Sequence, residues 1–260
     1  MLELVTALFI VAHRGASADA PENTIPAFEL AWEQKADAIE GDFHLTKDGH
    51  IVCIHDYDTK RVSGEKHIVA ETTLETLRTL DVGSWKSPKF AGTHIPTIDE
   101  VFETVPEGKT IYIEVKCGPE IVPALTKELE ETTLKPSQIV VISFNEDFVR
   151  VWKNEHPHCP TMLLLAFDAR RPQLKPSVNE VLSRLQACNA DGLSSSEHVA
   201  VTPEVVDKIK DAGYQYHSWT IDETRRAVRS LNAGSQSITT NKPAQLRKEL
   251  EAKMEQSPRG

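Results

Sequence analysis

Phe9-Ile10-Val11-Ala12-His13-Arg14-Gly15 is an apolar run that ends in a basic pair and a glycine. Four consecutive apolar residues are typical of a buried strand in a parallel sheet, and Gly15 allows the backbone to turn sharply after it. The run therefore predicts a strand with His13 and Arg14 at its carboxyl end, where parallel α/β folds carry out their chemistry. Taken alone, the pair is better explained by a histidine packed at a strand end and a solvated arginine.

The segment after this strand predicts a helix. Asn23 or Thr24 can cap its amino end, and Pro26 suits its first turn. Phe28 and Trp32 are four residues apart, so they share one face of the helix. The first part of the chain thus has the strand, turn and helix of an α/β protein.

Three more apolar runs end in ionisable residues, and this recurrence favours a shared site over coincidence. They are Ala38-Ile39-Glu40-Gly41-Asp42, Ile51-Val52-Cys53-Ile54-His55-Asp56 and Ile111-Tyr112-Ile113-Glu114-Val115-Lys116. Because side chains alternate between the two faces of a strand, Glu40 shares a face with Asp42, and Glu114 shares one with Lys116. If the strands are parallel, these ionisable residues converge with His13 at one end of a sheet.

The rest of the chain alternates between strand and helix patterns. Further strand candidates lie at residues 139–142, 162–165, 192–194, 215–219 and 237–239, and helical patterns lie at 120–131, 145–154, 177–188, 203–212 and 222–233. This alternation predicts a parallel sheet wound with helices. The length of 260 residues is close to that of one (β/α)8 barrel, about 250. About nine candidates compete for eight places, so we expect one of the weak ones to be an extension or a loop; residues 192–194 form one weak pattern.

Two connections break the alternation. Only residues 43–50 separate the second and third strands, and their Asp48-Gly49 pair is typical of a hairpin between antiparallel strands. Eight extended residues span about 26 Å, however, which is enough to run back and begin a parallel strand. We favour the parallel arrangement because it brings His55 to the same end of the sheet as His13. Residues 57–96 are predicted to form a small insertion beside that end.

In order and spacing, these motifs resemble the glycerophosphodiester phosphodiesterase family, and the likeness covers almost the whole chain. It rests on His13-Arg14-Gly15, Pro21-Glu22-Asn23-Thr24, Glu40-x-Asp42, Leu45-Thr46-x-Asp48-Gly49, His55-Asp56, Ile95-Pro96-Thr97, Glu114-x-Lys116, Trp219-Thr220 and Ile238-Thr239-Thr240-Asn241-Lys242-Pro243. The resemblance implies a (β/α)8 TIM barrel of the phospholipase-C-like phosphodiesterase type, with residues 57–96 as an insertion after the third strand. It also implies a hydrolase of the bacterial cytoplasmic type, which converts glycerophosphodiesters to an alcohol and sn-glycerol 3-phosphate with a divalent cation.

The resemblance also implies roles for individual residues. The metal ligands would be Glu40, Asp42 and Glu114, the acid–base pair would be His13 and His55, and the phosphate would be held by Arg14 and Lys116. For each of two further residues, the sequence itself leaves two interpretations open. Trp219 either packs on the substrate glycerol or fills the mouth of the barrel, and Asp56 either orients His55 or caps the next turn.

The chemistry supports these roles independently of the family. Cleavage of a phosphodiester places extra charge on the non-bridging oxygens, so the site needs cations that bind the transition state more strongly than the substrate. Three carboxylates suit a hard ion such as Mg²⁺ or Ca²⁺, while the arginine and the lysine add fixed positive charge. The nucleophile is either the free glycerol hydroxyl, which would close a cyclic phosphate, or a water bound to the cation. We favour the cyclic route because two histidines suit successive base and acid roles.

Composition argues against several other partners. With 29 basic and 39 acidic residues the formal charge is −10, which disfavours nucleic acid and anionic lipid surfaces. No apolar stretch approaches the roughly 20 residues that span a membrane. The four cysteines lack a Cys-x-x-Cys spacing, which suits free thiols in the cytoplasm. We expect one domain over residues 1–260, with a helix at 244–255 and a disordered tail at 257–260, and the sequence is compatible with a homo-oligomer.

Two other functions fit parts of this pattern. A related phosphodiesterase would act on lysophospholipids or phosphoinositides, which calls for a longer apolar groove or a membrane-docking rim, and residues 57–96 have few hydrophobic candidates for either. A barrel that binds phosphodiesters without cutting them usually lacks at least one of the carboxylates or histidines, whereas all of them are present here. Small glycerophosphodiesters are therefore the expected substrates.

Overall fold

The computed structural model describes residues 8–256, which form a closed barrel of eight parallel strands surrounded by helices. The strands of this range are β1 (Ile10–His13), β2 (Ala38–Leu45), β3 (Ile51–Cys53), β4 (Thr110–Val115), β5 (Ile139–Ser143), β6 (Thr161–Leu165), β7 (Gly192–Ser196), β8 (Gln215–Trp219) and β9 (Ile238–Thr240). All except β3 are parallel, and β1 pairs with both β9 and β2, which closes the ring. The predicted (β/α)8 fold is confirmed, and the tail predicted at 257–260 lies outside the described residues.

The helices of the same range are α1 (Ile25–Glu33), α2 (Lys60–Ser63), α3 (Leu74–Leu77), α4 (Ile98–Glu103), α5 (Val122–Glu131), α6 (Glu146–Glu155), α7 (Val178–Cys188), α8 (Pro203–Asp211), α9 (Thr224–Asn232) and α10 (Pro243–Gln256). Helices α5 to α10 match the predicted patterns to within two residues at each end. None of the helices in residues 8–256 is both long enough and apolar enough to cross a membrane.

Helix α1 begins where the sequence predicts but is not capped as expected. Thr24 occupies the N-cap position without a hydrogen bond from its side chain to the helix backbone. Its hydroxyl donates instead to the carbonyl oxygen of Pro21, at 2.6 Å. Pro26 lies in the first turn, and Phe28 is fully buried against the barrel while Trp32 is half-buried. The apolar face of α1 is thus predicted correctly, and its cap is not.

The strands bury side chains on both faces, as their period of two predicts. In β4, Ile111, Ile113 and Val115 belong to the large apolar layer between the barrel and its helices. Tyr112 packs with apolar side chains of the barrel interior, and Glu114 faces a cavity at the carboxyl ends of the strands. On the inward face of β2, likewise, Ala38 packs in the barrel interior and Glu40 lines the cavity.

The predicted parallel arrangement of the second and third strands is wrong. Strand β3 is antiparallel to β2, with Leu45 opposite Ile51, and the turn between them contains the Asp48-Gly49 pair. Strand β2 continues for eight residues, so its last three residues are free to form a hairpin with β3. The returning chain hydrogen-bonds the Ile54 N–H to the carbonyl oxygen of Asp42 at 2.8 Å. His55 therefore reaches the carboxyl end of the barrel on the return path of a hairpin.

The strand that lies outside the barrel is β3, and not a weak pattern as expected. The weak pattern at residues 192–194 is part of β7, a full barrel strand between β6 and β8. Strand β3 is strongly apolar because it packs on the insertion. Residues 57–96 contain α2, α3 and two 3₁₀ turns, and their apolar cluster includes Val52, Ile54, Val62, Leu77 and Ile95. The insertion thus has a small core of its own, which shares residues with β3.

Candidate active site

A cavity with a volume of about 160 Å³ opens at the carboxyl ends of the barrel strands. Seven of the eight predicted site residues line it, namely His13, Arg14, Glu40, His55, Glu114, Lys116 and Trp219. The eighth, Asp42, is fully buried and is ion-paired with two lining residues, Arg14 and Lys116. The structure therefore brings all the predicted site residues into one place.

Strand register explains why the three carboxylates meet. The pairing of β1 with β2 places His13 opposite Glu40, and the pairing of β2 with β4 places Asp42 opposite Glu114. One carboxylate oxygen from each of Glu40, Asp42 and Glu114 lies within 4.8 Å of the others. No other group of three or more His, Cys, Asp or Glu side chains within residues 8–256 has this spacing. The trio is the candidate metal centre of the described chain.

Two basic side chains surround Asp42. The Arg14 Nε lies 3.1 Å from its Oδ2, and the Lys116 Nζ lies 3.3 Å from its Oδ1. Lys116 also contacts Glu114 Oε1 at 2.6 Å. Burial alone would raise the pKa of Asp42, but the charges of Arg14 and Lys116 outweigh it and lower the pKa to about 2. Asp42 is therefore ionised, and it fixes both basic side chains at the floor of the cavity.

Burial disfavours the ionised form of the other two carboxylates, although Lys116 contacts Glu114. Burial, reinforced by the charge of Asp42, raises the pKa of Glu114 to about 7, and the same two causes raise the pKa of Glu40 well above its usual range. Glu40 Oε2 accepts the backbone N–H of Arg14 at 2.9 Å, but Glu40 Oε1 is buried without a hydrogen-bond partner. The three carboxylates can thus accept one more cation.

Two residues of the loop between β1 and α1 have an unusual backbone conformation near Asp42. Arg14 and Asn23 have φ angles of 55° and 57°, in the left-handed region that side-chain-bearing residues rarely adopt. In this conformation Asn23 donates from Nδ2 to Asp42 Oδ2 at 2.8 Å and accepts the Asp42 N–H at 3.1 Å. Asn23 is therefore a site residue, although the sequence indicates only a helix cap.

The two histidines differ in their surroundings. His13 is half-buried at the end of β1, and its Nδ1 lies 2.7 Å from Asn241 Oδ1; burial and the nearby Arg14 charge lower its pKa. The His55 side chain is about one-third exposed, at 32%, and its Nδ1 lies 2.7 Å from Asp56 Oδ1. Asp56 thus contacts the ring of His55, which favours the first of its two sequence-based interpretations.

A chain of ion pairs connects the insertion with the site. Arg61, in α2, binds Asp56 at 2.6 Å and Glu22 at 2.8 Å, and Glu22 binds Arg14 at 2.9 Å. The contacts run from His55 through the insertion to Arg14. The local sequence offers no reason to select Arg61, because one of its two partners, Glu22, is 39 residues away in the chain. Glu22 lies in the Pro21-Glu22-Asn23-Thr24 motif, which was the signal that pointed to this segment.

One wall of the cavity is apolar. Trp219 donates its Nε1–H to the carbonyl oxygen of Ser194 at 3.0 Å, and its ring meets Phe144 edge-to-face at 5.5 Å between centroids. Tyr112, Ile142 and Leu164 also line the cavity. Among these wall residues, the sequence indicates only Trp219 as a candidate site residue. The aromatic residues of the insertion, Tyr57, Trp85 and Phe90, do not line the cavity.

Known proteins are similar to this one over nearly the full chain. The model of the glycerophosphoryl diester phosphodiesterase family matches residues 13–245. A glycerophosphodiester phosphodiesterase of Caldanaerobacter subterraneus subsp. tengcongensis is 35% identical over 242 residues, which cover 91% of this chain and 95% of that protein. One of Bacillus subtilis is 28% identical, over 91% of this chain and 84% of that protein. The solved structure of an Oleispira antarctica phosphodiesterase, in complex with the product sn-glycerol-3-phosphate, aligns with a TM-score of 0.83 and 26% identity over 94% of this chain and 96% of its own. The chain belongs to the glycerophosphoryl diester phosphodiesterase family.

Proposed function

We propose that this protein hydrolyses glycerophosphodiesters to an alcohol and sn-glycerol 3-phosphate, with a divalent cation. The observation that carries the proposal is the convergence of three carboxylates, two basic side chains and two histidines on one cavity. Two relatives are named as glycerophosphodiester phosphodiesterases, and a similar structure holds sn-glycerol-3-phosphate. Both lines of support lead to the same reaction.

The proposed ligands of the cation are Glu40, Asp42 and Glu114. Their close carboxylate oxygens and the unpartnered Glu40 Oε1 fit a divalent ion, and oxygen ligands suit Mg²⁺ or Ca²⁺. The bound ion would supply positive charge to the phosphate oxygens as the ester bond breaks.

Arg14 and Lys116 are the proposed phosphate-binding residues. An arginine can bind two phosphate oxygens at once, and a lysine adds a compact charge. Because Asp42 already holds both side chains, their charges are in position before the substrate arrives. Such preorganisation avoids the energetic cost of turning dipoles toward the transition state during the reaction.

His13 and His55 are the proposed acid–base pair. One histidine accepts the proton of the attacking hydroxyl as the new O–P bond forms, and the other gives a proton to the departing alkoxide as the old O–P bond breaks. The favoured nucleophile is the free glycerol hydroxyl next to the phosphoester, which forms a five-membered cyclic phosphate that water then opens. Trp219, on the apolar wall, is proposed to pack against the glycerol carbons.

A substrate without that hydroxyl tests the cyclic route. We expect the deoxy analogue to bind but not to turn over, because it cannot form the cyclic phosphate. The measurement is release of the leaving alcohol from the parent compound and its deoxy analogue under the same conditions. Undiminished release from the analogue would favour direct attack by water.

The proposed function is tested by a coupled assay for glycerol 3-phosphate. The purified protein is given a panel of glycerophosphodiesters and one lysophospholipid, with Mg²⁺, with Ca²⁺ or after treatment with a chelator. We expect release from at least one glycerophosphodiester, and loss of that release after chelation. No release with either cation would contradict the enzymatic function, whereas undiminished release after thorough chelation would contradict the metal dependence alone.

A further inference from the structure

The ring of His13 is held by two residues from the last part of the barrel. Its Nδ1 lies 2.7 Å from Asn241 Oδ1, just after β9. The Asn241 side chain donates from Nδ2 to Asp222 Oδ2 at 2.7 Å, and the Asn241 backbone N–H donates to Asp222 Oδ1 at 2.8 Å. Thr240 Oγ1 donates to the same Oδ1 at 2.8 Å. Asp222, Asn241 and His13 thus form a continuous hydrogen-bonded chain that ends at the cavity.

These hydrogen bonds allow only one orientation of the Asn241 side-chain amide. Asp222 is an acceptor and takes the Asn241 NH₂ group, so the amide oxygen has to face His13. Ser17 Oγ lies 2.9 Å from the same oxygen and 2.7 Å from the carbonyl oxygen of His13, so its single proton has two acceptors within reach. An amide oxygen can only accept, so the His13 Nδ1 has to carry the proton. The Nε2 lone pair of the neutral ring is then left free, and no hydrogen bond to Nε2 occurs within residues 8–256.

We propose that Asp222 and Asn241 are positioning residues that hold His13 as the Nδ1–H tautomer, with its Nε2 lone pair available to the substrate. The inference rests on the proposed function, because it assigns to these residues the orientation of a proposed acid–base group. Only the free Nε2 lone pair can take part in proton transfer with a bound ligand. Neither residue lines the cavity, so their effect on the reaction has to pass through His13.

The isosteric variant Asp222→Asn should change the tautomer of His13. The backbone N–H of Asn241 requires an acceptor, so the new amide keeps its oxygen in the Oδ1 position and presents its NH₂ group where Oδ2 was. Two NH₂ groups would then face each other, and Asn241 has to turn its amide over. Its own NH₂ group then points at His13 Nδ1, which has to become an acceptor. The variant should therefore convert His13 to the Nε2–H tautomer.

The double variant Asp222→Asn/Asn241→Asp should restore the original tautomer. The carboxylate at position 241 accepts from the new amide at position 222 and from the Nδ1–H of His13. The pair has the same atoms in nearly the same positions, with the donor and acceptor roles exchanged. A purely structural role of Asp222 would not require this particular exchange at position 241.

The experiment reads the tautomer of His13 directly by long-range ¹H–¹⁵N NMR of the labelled protein, with His13→Ala identifying its signals among the ten histidines. We expect Nδ1–H signals in the parent and in the double variant, and Nε2–H signals in Asp222→Asn.

Kinetics provide the second measurement, taken at the pH optimum of each variant. In Asp222→Asn, kcat should fall at least about tenfold while KM changes little, since the wrong tautomer of a catalytic histidine is costly. The double variant should recover to within about threefold of the parent, because the Nδ1–H tautomer returns.

Unchanged Nδ1–H signals in Asp222→Asn, or a double variant no better than the single one, would overturn the proposal. If Asp222→Asn does not fold, Asn241→Ala serves instead: His13 should then show both tautomers, and a ring that stays Nδ1–H contradicts the role of the pair. The NMR signals require no substrate. Failure of the proposed function, seen as no glycerol 3-phosphate release by the parent, is therefore distinguishable from failure of this inference.

Discussion

Gly15 is the residue on which the geometry of the first loop depends. Its φ is +77°, and a Cβ at this position would lie 2.5 Å from the carbonyl carbon of Ala27, in the backbone of α1. The close approach lets the chain turn directly after His13 and Arg14 and lets α1 pack beneath the loop. The sequence predicts the turn at this glycine but gives no indication of the contact with Ala27.

Gly15→Ala should therefore be more destabilising than an alanine at another left-handed glycine. The matched control is Gly49→Ala, in the hairpin turn, where φ is +86° but no atom lies within 4 Å of the added Cβ. The control carries only the backbone strain, about 1–2 kcal/mol, whereas Gly15→Ala adds a steric clash of roughly 1–3 kcal/mol. Thermal unfolding of both variants is the measurement. Equal losses of Tm would mean that the contact with Ala27 is readily relieved.

Replacement of either histidine tests the proposed acid–base pair. His13→Ala and His55→Ala should each lower the rate of glycerol 3-phosphate release at least about a hundredfold, the usual scale for the loss of such a group. His158→Ala is the control, because His158 is exposed and does not line the cavity. Circular dichroism verifies the fold of each variant. Near-normal turnover in both site variants would refute the assigned roles.

The hairpin of β2 and β3 shows, at the scale of elements, what local sequence patterns predict and what they miss. The alternation within β2 predicts that Glu40 and Asp42 share a face, and the alternation within β4 predicts the same of Glu114 and Lys116, because it depends only on neighbours in the chain. The direction of β3 depends on how far β2 extends beyond the barrel, which is a tertiary property. The Asp48-Gly49 pair indicates the hairpin correctly, and His55 reaches the site without the parallel strand that we expect from the sequence.

Contacts between distant elements were the least predictable part of the site. Asn23 binds Asp42 across 19 positions, Arg61 binds Glu22 across 39, and His13 binds Asn241 across 228. Asn23 is ordinary as a helix cap and Arg61 is ordinary as a solvated surface charge, so neither residue type indicates its distant partner. The sequence motifs located the segments, and only the closed barrel brings the partners together.

Arg61→Ala tests whether the insertion supports the site. The change removes the partner of Asp56 and of Glu22, which contact His55 and Arg14. We expect kcat/KM to fall about tenfold, since small displacements of reacting groups are costly. The control is Arg78→Ala, which removes a similarly exposed two-pronged pair with Glu100, outside the cavity. Equal activity of the two variants would argue that the insertion pairs serve stability alone.

For the molecule as a whole, the site is a source of instability that a cation can relieve. The carboxylates of β2 and β4 bring like charges together across two paired strands at the rim of the barrel. Arg14 and Lys116 supply only two positive charges to the three carboxylates, and Glu40 Oε1 remains without a hydrogen-bond partner. Stability should therefore depend jointly on pH and on the divalent cation.

The sign of the pH dependence follows from Glu114. Its pKa is raised from 4.5 to about 7 in the folded protein, so without cation this group favours the fold below about pH 4.5 and that contribution is lost as the pH rises through 7. A divalent cation binds the ionised carboxylate and has to displace the proton at low pH. The gain in Tm on adding millimolar Mg²⁺ or Ca²⁺ should thus be small near about pH 5.5 and should grow toward about pH 8. Differential scanning fluorimetry across this range is the measurement, and Glu114→Gln, which lacks both the titration and a charged ligand, should lose most of the gain. A cation effect of equal size at both ends of the range would exclude Glu114 as a titrating ligand.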